Sequence, residues 1–204
     1  ILEVEGTVTK VSNRLLTGKS YSEQIFNLAL ELCITWVNRI LFLKLLEAQL
    51  LKYHNQNPKF RFLNVQTVRD YDELYKLFFQ VLARQSCDRT ALVQQKFGHI
   101  PYLNSSLFEI SSLEDVSIKI NGLDNHLDLD LYSNSILNKK RRNSLKSVES
   151  MNTLHYFFAF LDAYDFASIG KEEVQEENKT IINAAVLGLV FEKINGYRDG
   201  SIYT

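Results

Sequence analysis

The sequence is poor in residues that interrupt helices and in residues that build disulfide frameworks. Its 204 residues include two prolines, eight glycines and two cysteines. Scarce proline and glycine favour helices over turn-rich β architectures. Cys33 falls in an apolar segment and Cys87 in a polar one far along the chain, so we expect no disulfide and a reducing, cytoplasmic location.

Charge and motif content narrow the function classes further. The formal net charge is −1, so no global attraction to nucleic acid or membrane is indicated. The sequence has no glycine-rich dinucleotide motif, no phosphate loop and no nucleophile elbow. The residues alone therefore predict no catalytic site. The chain opens at Ile1 without Met or a basic leader, which we interpret as a fragment of a larger protein.

One apolar stretch, from Ser22 to Lys52, is the predicted centre of the fold. It contains no proline or glycine, and Ser20 with Glu23 forms a capping box before it. We expect a helix that later segments cover nearly all round between Cys33 and Leu43. Asn38, Arg39 and Lys44 interrupt the apolar run, which argues against a membrane span.

Further helices and one hairpin complete the predicted fold. Period-2 alternation predicts strands over 116–120 and 127–131, which we expect to pair. The fold class is therefore mainly α, a multi-helix bundle around one central buried helix with a small antiparallel β-hairpin. Residues 1–19 are a linker or short hairpin from a preceding domain, and 20–196 are the helical domain. Helical periodicity or capping residues predict helices in four later segments: 70–82, 88–97, 151–164 and 180–194.

Arg39 is the residue that fits the predicted core least well. A buried guanidinium costs several kcal/mol unless it meets a carboxylate or several carbonyls, which makes a structural ion pair the simplest interpretation. The small residues Ala184, Ala185 and Gly188 would let a late helix approach closely, and Glu192 continues their stripe. We therefore predict that Arg39 pairs with Glu192.

Two polar clusters are candidates for binding. Lys139, Lys140, Arg141, Arg142 and Lys146 place five positive charges in eight residues, which suits contact with a DNA backbone, although a solvated loop is the simpler explanation. His126, Asp128 and Asp130 alternate with leucines, and this alternation accounts for them without a metal ion. We predict no metal site.

Five stretches in a fixed order carry a resemblance to a known family. They resemble the helical connector that precedes the adenine-specific methyltransferase domain of combined, type IIG restriction–modification enzymes. Ser105 and Ser106 stand where that family often has two glycines, and Ile202 replaces a frequent aromatic residue. The five stretches are residues 38–43 (NRILFL), 100–109 (IPYLNSSLFE), 160–166 (FLDAYDF), 187–193 (LGLVFEK) and 200–204 (GSIYT).

The resemblance implies a non-catalytic part of a DNA-modifying enzyme. In such enzymes a nuclease domain precedes the connector, and the methyltransferase that follows binds S-adenosylmethionine and carries an Asn-Pro-Pro-Tyr motif, which this chain lacks. Residues 197–204 would begin that domain, and Tyr203 and Thr204 match the start of its cofactor pocket. The implied partners are double-stranded DNA and the other domains of the same chain, without a membrane. The implied parent cofactors are S-adenosylmethionine and Mg²⁺, with none bound by this fragment alone.

Two alternatives stay open at this point. The chain could be a stand-alone metal-dependent nuclease that uses Glu109, Asp115 and Lys119. It could also be a helical protein-interaction module without DNA binding, in which case neutralising Lys139 to Arg142 would change nothing.

Overall fold

The chain is mainly helical, with short strands in its second half. The computed structural model describes residues 1–3, 6–11, 18–140, 149–166, 180–181 and 189. The α-helices in these ranges are α1 (Tyr21–Tyr53), α2 (Tyr71–Lys76), α3 (Ala91–Phe97), α4 (Ser112–Val116), α5 (Ile136–Lys140) and α6 (Thr153–Asp162). The strands are β1 (Asp128–Asp130), β2 (Ser150–Asn152), β3 (Tyr164–Asp165) and β4 (Thr180–Ile181). The prediction of a mainly α fold with a small antiparallel sheet is confirmed.

Helix α1 begins as the sequence predicts. The Glu23 amide donates to Ser20 Oγ at 3.2 Å, and the Ser20 amide donates to Glu23 Oε2 at 3.3 Å, so the capping box is formed. The helix has 33 residues and ends at Tyr53. Asn55 and Gln56 follow in the left-handed region, with φ of 52° and 60°, which stops the helix.

The middle of α1 is largely covered, as expected, with one exception. Ile34, Trp36, Ile40 and Leu43 are buried, whereas Cys33 is exposed. By length and composition α1 could also cross a membrane, since its best window has a mean hydropathy of 1.5. Core helices of soluble proteins pass the same test of length and composition. In α1, the side chains of Arg39, Lys44 and Glu47 take part in buried ion pairs.

The chain forms two compact units, each with its own core. Among the described residues, unit 1 comprises those within 1–41 and 74–123, and unit 2 comprises those within 42–73 and 124–189. In unit 1, α2 continues directly into a π-helix, Leu77–Leu82, of which five residues are buried. Phe78, Phe97 and Phe108 fill this core at 0 to 1% exposure.

Unit 2 contains the two small sheets. Strand β1 pairs antiparallel with β2, with Leu129 opposite Met151, and β3 pairs parallel with β4. The predicted pairing of residues 116–120 with residues 127–131 was wrong. Residues 116–120 contain the end of α4 and the start of a 3-10 turn, Ile120–Gly122, and form no strand. Ile118 and Ile120 are nevertheless buried, whereas Val116 is 39% exposed, so the alternation predicted burial at two of its three apolar positions and the hydrogen bonding incorrectly.

The other predicted helices are found with shifted ends. The helix expected from Asp88 starts at Ala91, because the Thr90 hydroxyl caps it by accepting from the Val93 amide. The helix expected over 151–164 is α6, preceded by β2. Of the helix expected over 180–194, the first two residues form β4, Leu189 is helical, and the rest lies outside the described residues.

Candidate functional site

Arg39 lies at the centre of a buried polar cluster in unit 1. Its Nη1 donates to Glu114 Oε1 at 2.5 Å and its Nη2 donates to Glu114 Oε2 at 2.9 Å. Nε donates to the Leu107 carbonyl at 2.6 Å, and Nη2 also donates to the Glu109 carbonyl at 2.7 Å. The side chains of Arg39 and Glu114 are 2% and 0% exposed. The sequence-based expectation was that Arg39 needs a carboxylate or several carbonyls, and the structure provides one carboxylate and two carbonyls.

Two aromatic rings complete the environment of Arg39. The guanidinium carbon lies 5.6 Å from the centroid of Phe78 and 5.0 Å from that of Phe79. Both residues belong to the π-helix that follows α2. A guanidinium within about 6 Å of a ring face is attracted by the ring quadrupole, so the rings stabilise the cation where water is excluded.

Glu114 has two structural roles at once. It is the third residue of α4, whose cap is Ser111, and both the amide and the hydroxyl of Ser111 donate to Oε2 at 2.9 Å. Trp36 Nε1 donates to Oε1 at 2.9 Å. Burial alone would raise the pKa of Glu114, but the hydrogen bonds from Arg39, Ser111 and Trp36 and the charge of Arg39 outweigh burial. The pKa of Glu114 is therefore lowered, and the carboxylate is charged at neutral pH.

A cavity of about 480 Å³ adjoins Arg39. One wall is α1, with Thr35 and Asn38, and the other is the segment from Ser106 to Leu113. Its lining residues include Glu31, Glu109 and three serines, without histidine or cysteine. A nucleophile with a neighbouring imidazole base is thus not part of the lining of this cavity.

Unit 2 contains a second ionic cluster, around Lys44. Lys44 Nζ donates to Glu47 Oε1 at 2.8 Å and to Asp162 Oδ1 at 2.5 Å. The other oxygen of Glu47 accepts from the Leu63 amide at 2.6 Å. Burial would lower the pKa of Lys44, but the charges of Glu47 and Asp162 outweigh burial and raise it. The side chain of Asp162 is 38% exposed, so this cluster reaches the surface.

Arg89 is a third buried cation, and the bonds described for it go to backbone carbonyls. Its guanidinium donates to Val81 O at 2.8 Å, Ile100 O at 2.9 Å and Arg84 O at 3.2 Å. Burial lowers the pKa of this arginine. Arg89 thereby satisfies the terminal carbonyls of the π-helix and of the chain after α3.

Most of the predicted binding residues lie in parts of the chain that the structure does not describe. Arg141, Arg142, Lys146, Glu192, Tyr203 and Thr204 lie outside the described residues. Lys139 and Lys140 are the last residues of α5. Among the described residues, the carboxylate bound to Arg39 is Glu114, and the predicted pair with Glu192 stays a prediction.

The structure describes the residues of the rejected metal cluster and those of the alternative nuclease site. Asp128 and Asp130 are exposed on β1, and His126 is exposed just before it. Lys119 Nζ lies 3.3 Å from Asp115 Oδ1 in an exposed pair, and Glu109 contributes its carbonyl to Arg39. In the part of the chain that the structure describes, no three histidine, cysteine or acidic side chains form a group that could hold a metal ion.

Sequence reasoning missed Glu114, Glu47 and Asp162. One signal was available, because Ser111-Ser112-Leu113-Glu114 has the spacing of a capping box and therefore predicts a helix start at Ser112. No capping motif or other local pattern distinguishes Glu47 from the other charged residues of its long helix.

The fold and the two clusters define a mainly α protein with buried ionic contacts. The chain belongs to the DUF7814 family, which is described as a domain of unknown function and whose model matches residues 1–182. No curated protein matches the chain, and no solved structure matches it.

Proposed function

We propose that this chain is a non-catalytic helical connector of a DNA restriction–modification enzyme, coupling a nuclease domain to an adenine-specific methyltransferase. The proposal starts from the resemblance of five ordered stretches to that connector. It also places the protein in the cytoplasm, with double-stranded DNA as the partner of the whole enzyme, and S-adenosylmethionine and Mg²⁺ as the cofactors of its other domains.

The single observation that supports the proposal most is the hydrogen bonding between the first and the second of the resembling stretches. Arg39 belongs to the first stretch, and the carbonyls of Leu107 and Glu109, to which it donates, belong to the second. The bonded residues of the two stretches are 68 and 70 positions apart in sequence. Asp162, in the third stretch, binds Lys44, which directly follows the first. Residues of three stretches are thus engaged in buried or partly buried structural bonds, as a rigid connector requires.

The Lys139 to Lys146 cluster is the proposed point of contact with the DNA backbone. Each lysine or arginine that neutralises a phosphate releases a counterion, so the affinity should fall with salt. Replacing Lys139, Lys140, Arg141, Arg142 and Lys146 by alanine in the whole enzyme should reduce the salt dependence of duplex binding.

Methyl transfer by the natural full-length protein tests the proposal. With S-adenosylmethionine and duplex DNA, the full-length protein should methylate adenine, while the 204-residue chain alone should not. Glu114→Ala in the full-length protein should lower methylation and DNA cleavage together, because it disturbs the connector and not one active site. Asp115→Ala, on the exposed side of α4, is the matched control and should leave both activities unchanged. A full-length protein that neither methylates nor cleaves DNA would refute the proposal.

The competing nuclease interpretation makes the opposite prediction for the isolated chain. Mg²⁺-dependent cleavage of a duplex by the 204 residues, lost in Glu109→Gln or Asp115→Asn, would establish it. An interaction module without DNA binding would show no affinity for duplex at low salt.

A further inference from the structure

The cavity beside Arg39 has the size of a site for a small molecule. Its volume is about 480 Å³, and such sites commonly measure roughly 300–1,000 Å³. Its two walls, α1 at Thr35 and the segment from Ser106 to Leu113, both belong to unit 1. The proposed function assigns no role to this space. The apolar part of the lining comprises Leu107, Ile110 and Leu113.

Two hydroxyl groups of the lining already donate their hydrogen within the protein. Thr35 Oγ1 donates to the Glu31 carbonyl at 3.0 Å, and Ser111 Oγ donates to Glu114 Oε2 at 2.9 Å. Ser111 Oγ also accepts from the Glu114 amide at 3.2 Å. A hydroxyl has one hydrogen and two lone pairs. What these two groups can still offer a ligand is therefore an acceptor.

The cation in the cavity wall is also committed to the protein. Arg39 donates four of its five N–H groups, two to Glu114 and one each to the carbonyls of Leu107 and Glu109. Its charge is compensated by Glu114, and both side chains are buried. Arg39 can thus offer a ligand at most one donor, and its charge is balanced before a ligand arrives.

Glu109 provides a negative charge that is not balanced in this way. Its amide donates to the Ser106 carbonyl at 3.1 Å and its own carbonyl accepts from Arg39, so its backbone is fixed on both sides. The residue is exposed, and no hydrogen bond or ion pair of its carboxylate is found among the described residues. The lining contains no lysine or histidine. We assign the charge of a ligand from Glu109, because Glu31, the other acid of the lining, has a partner of its own.

We propose that this cavity binds a small primary amine in its ammonium form, a free alkylammonium ion. Its ammonium group lies against the Glu109 carboxylate and the oxygens of Thr35 and Ser111, and its carbon chain lies against the apolar part of the lining. An ammonium group has three donors and no acceptor, which matches these acceptors. An anion is not expected, because Glu114 and Asp115 already compensate the start of α4. The inference goes beyond the proposed function and does not depend on it.

Three probes of equal chain length test the charge of the ligand on the 204-residue chain. They are butylammonium, 1-butanol and butyrate, each titrated at pH 7 and followed by saturation-transfer difference NMR. Butylammonium should bind saturably, and the other two at least about tenfold more weakly, since charge-assisted hydrogen bonds are roughly twice as strong as neutral ones. Absent butylammonium binding, equal binding of 1-butanol, or tighter binding of butyrate would overturn the inference.

Glu109→Gln tests the residue that carries the charge. The variant keeps the backbone bonds of Glu109 and should bind butylammonium about tenfold more weakly. Asp88→Asn is the matched control, because it removes an exposed carboxylate of unit 1 outside the lining and should keep the wild-type affinity. An unchanged affinity in Glu109→Gln, or an equal loss in both variants, would contradict the role of Glu109. Both side chains are exposed, so thermal melting of the variants should match the wild type.

Ser112→Leu separates binding in the cavity from pairing of charges at the surface. Ser112 lines the cavity and is exposed, so a larger side chain should reduce the space for the ligand without changing the charge or the fold. Butylammonium binding should fall, and thermal melting should not change. Wild-type affinity in this variant would place the probe on the surface and overturn the inference.

A free amine and a lysine side chain of another domain share this chemistry, and the natural full-length protein distinguishes them. With a free amine as the ligand, butylammonium should bind the full-length protein as it binds the 204-residue chain. Binding to the 204-residue chain alone would show that another domain fills the cavity, and would overturn the assignment to a free amine.

Discussion

Helix α1 contributes one buried cation to each unit, and the two cations are held in different ways. Arg39 in unit 1 meets one carboxylate through two parallel bonds, and two carbonyls and two rings complete its surroundings. Lys44 in unit 2 shares its charge between two carboxylates, Glu47 and Asp162. A planar guanidinium suits the first arrangement, and a compact ammonium with rotatable donors suits the second.

The difference in exposure determines how each cluster should respond to damage. Glu114 is fully buried, so its removal takes away the counter-charge of Arg39 that is found among the described residues, in a place that water does not reach. Asp162 is partly exposed, so water can replace it, and Lys44 keeps Glu47 as a partner. One cluster depends on a single carboxylate, whereas the other has a second one.

Glu114→Ala should produce the largest effect. The change removes the carboxylate that pairs with Arg39 and accepts from Trp36 Nε1. Breaking a buried ion pair in this way lowers the free energy of unfolding by about 3–5 kcal/mol. Urea unfolding followed by far-ultraviolet circular dichroism measures the loss. Asp115→Ala, the next residue on α4, should cost less than about 1 kcal/mol, because its pair with Lys119 is exposed. Similar losses in the two variants would refute the central role of Glu114.

Glu47→Ala should rank second. The Leu63 amide loses its acceptor, at a cost of about 1–3 kcal/mol for a buried donor, but Lys44 keeps Asp162. The same unfolding measurement applies. Glu31→Ala serves as the control, because Glu31 lies on the same helix and is only partly buried. If Glu47→Ala were as costly as Glu114→Ala, the second carboxylate of this cluster would have no compensating effect.

The two clusters should also fail at opposite ends of the pH scale. The pKa of Glu114 lies below its ordinary 4.5, so its contribution to stability is present above pH 4.5 and is lost as the pH falls through the folded-state pKa. The pKa of Lys44 lies above its ordinary 10.5, so its contribution is present below pH 10.5 and is lost as the pH rises through the folded-state value.

Unfolding at stepped pH values checks both directions. The stability difference between wild type and Glu114→Gln should shrink towards acid pH, and that between wild type and Lys44→Met should shrink above pH 10.5. Each unit of pKa shift corresponds to about 1.4 kcal/mol. A Glu114→Gln difference that stays constant into the acid range would contradict the lowered pKa.

The helices were predictable because their signals are local. Ser20 and Glu23 mark the start of α1, and the absence of proline and glycine predicts its length. The period of the apolar residues predicts which faces are buried. The sequence also identified Arg39 as a residue that needs a partner, since burying a charged side chain is unfavourable unless it is paired and hydrogen-bonded.

The partners of the buried charges were not predictable, because tertiary packing chooses among many carboxylates. Glu114 lies 75 residues from Arg39, and Asp162 lies 118 residues from Lys44. The hairpin failed for a related reason, since β1 pairs with a strand that follows α5 and not with the nearer segment. Alternation over five residues indicates burial on one side but does not specify the hydrogen-bonding partner.

Of the three carboxylates in the two clusters, Asp162 should give the smallest effect when it is replaced by alanine, and this change therefore sharpens the comparison most. Its side chain is 38% exposed, and solvent screens an ion pair of this kind, so the expected loss is below about 1 kcal/mol. Combining it with Glu47→Ala leaves Lys44 without either described carboxylate, so the double variant should lose more than the sum of the two single losses. Strict additivity in this cycle would mean that the two carboxylates do not substitute for each other, and that the unit 2 cluster, like that of unit 1, depends on one acid.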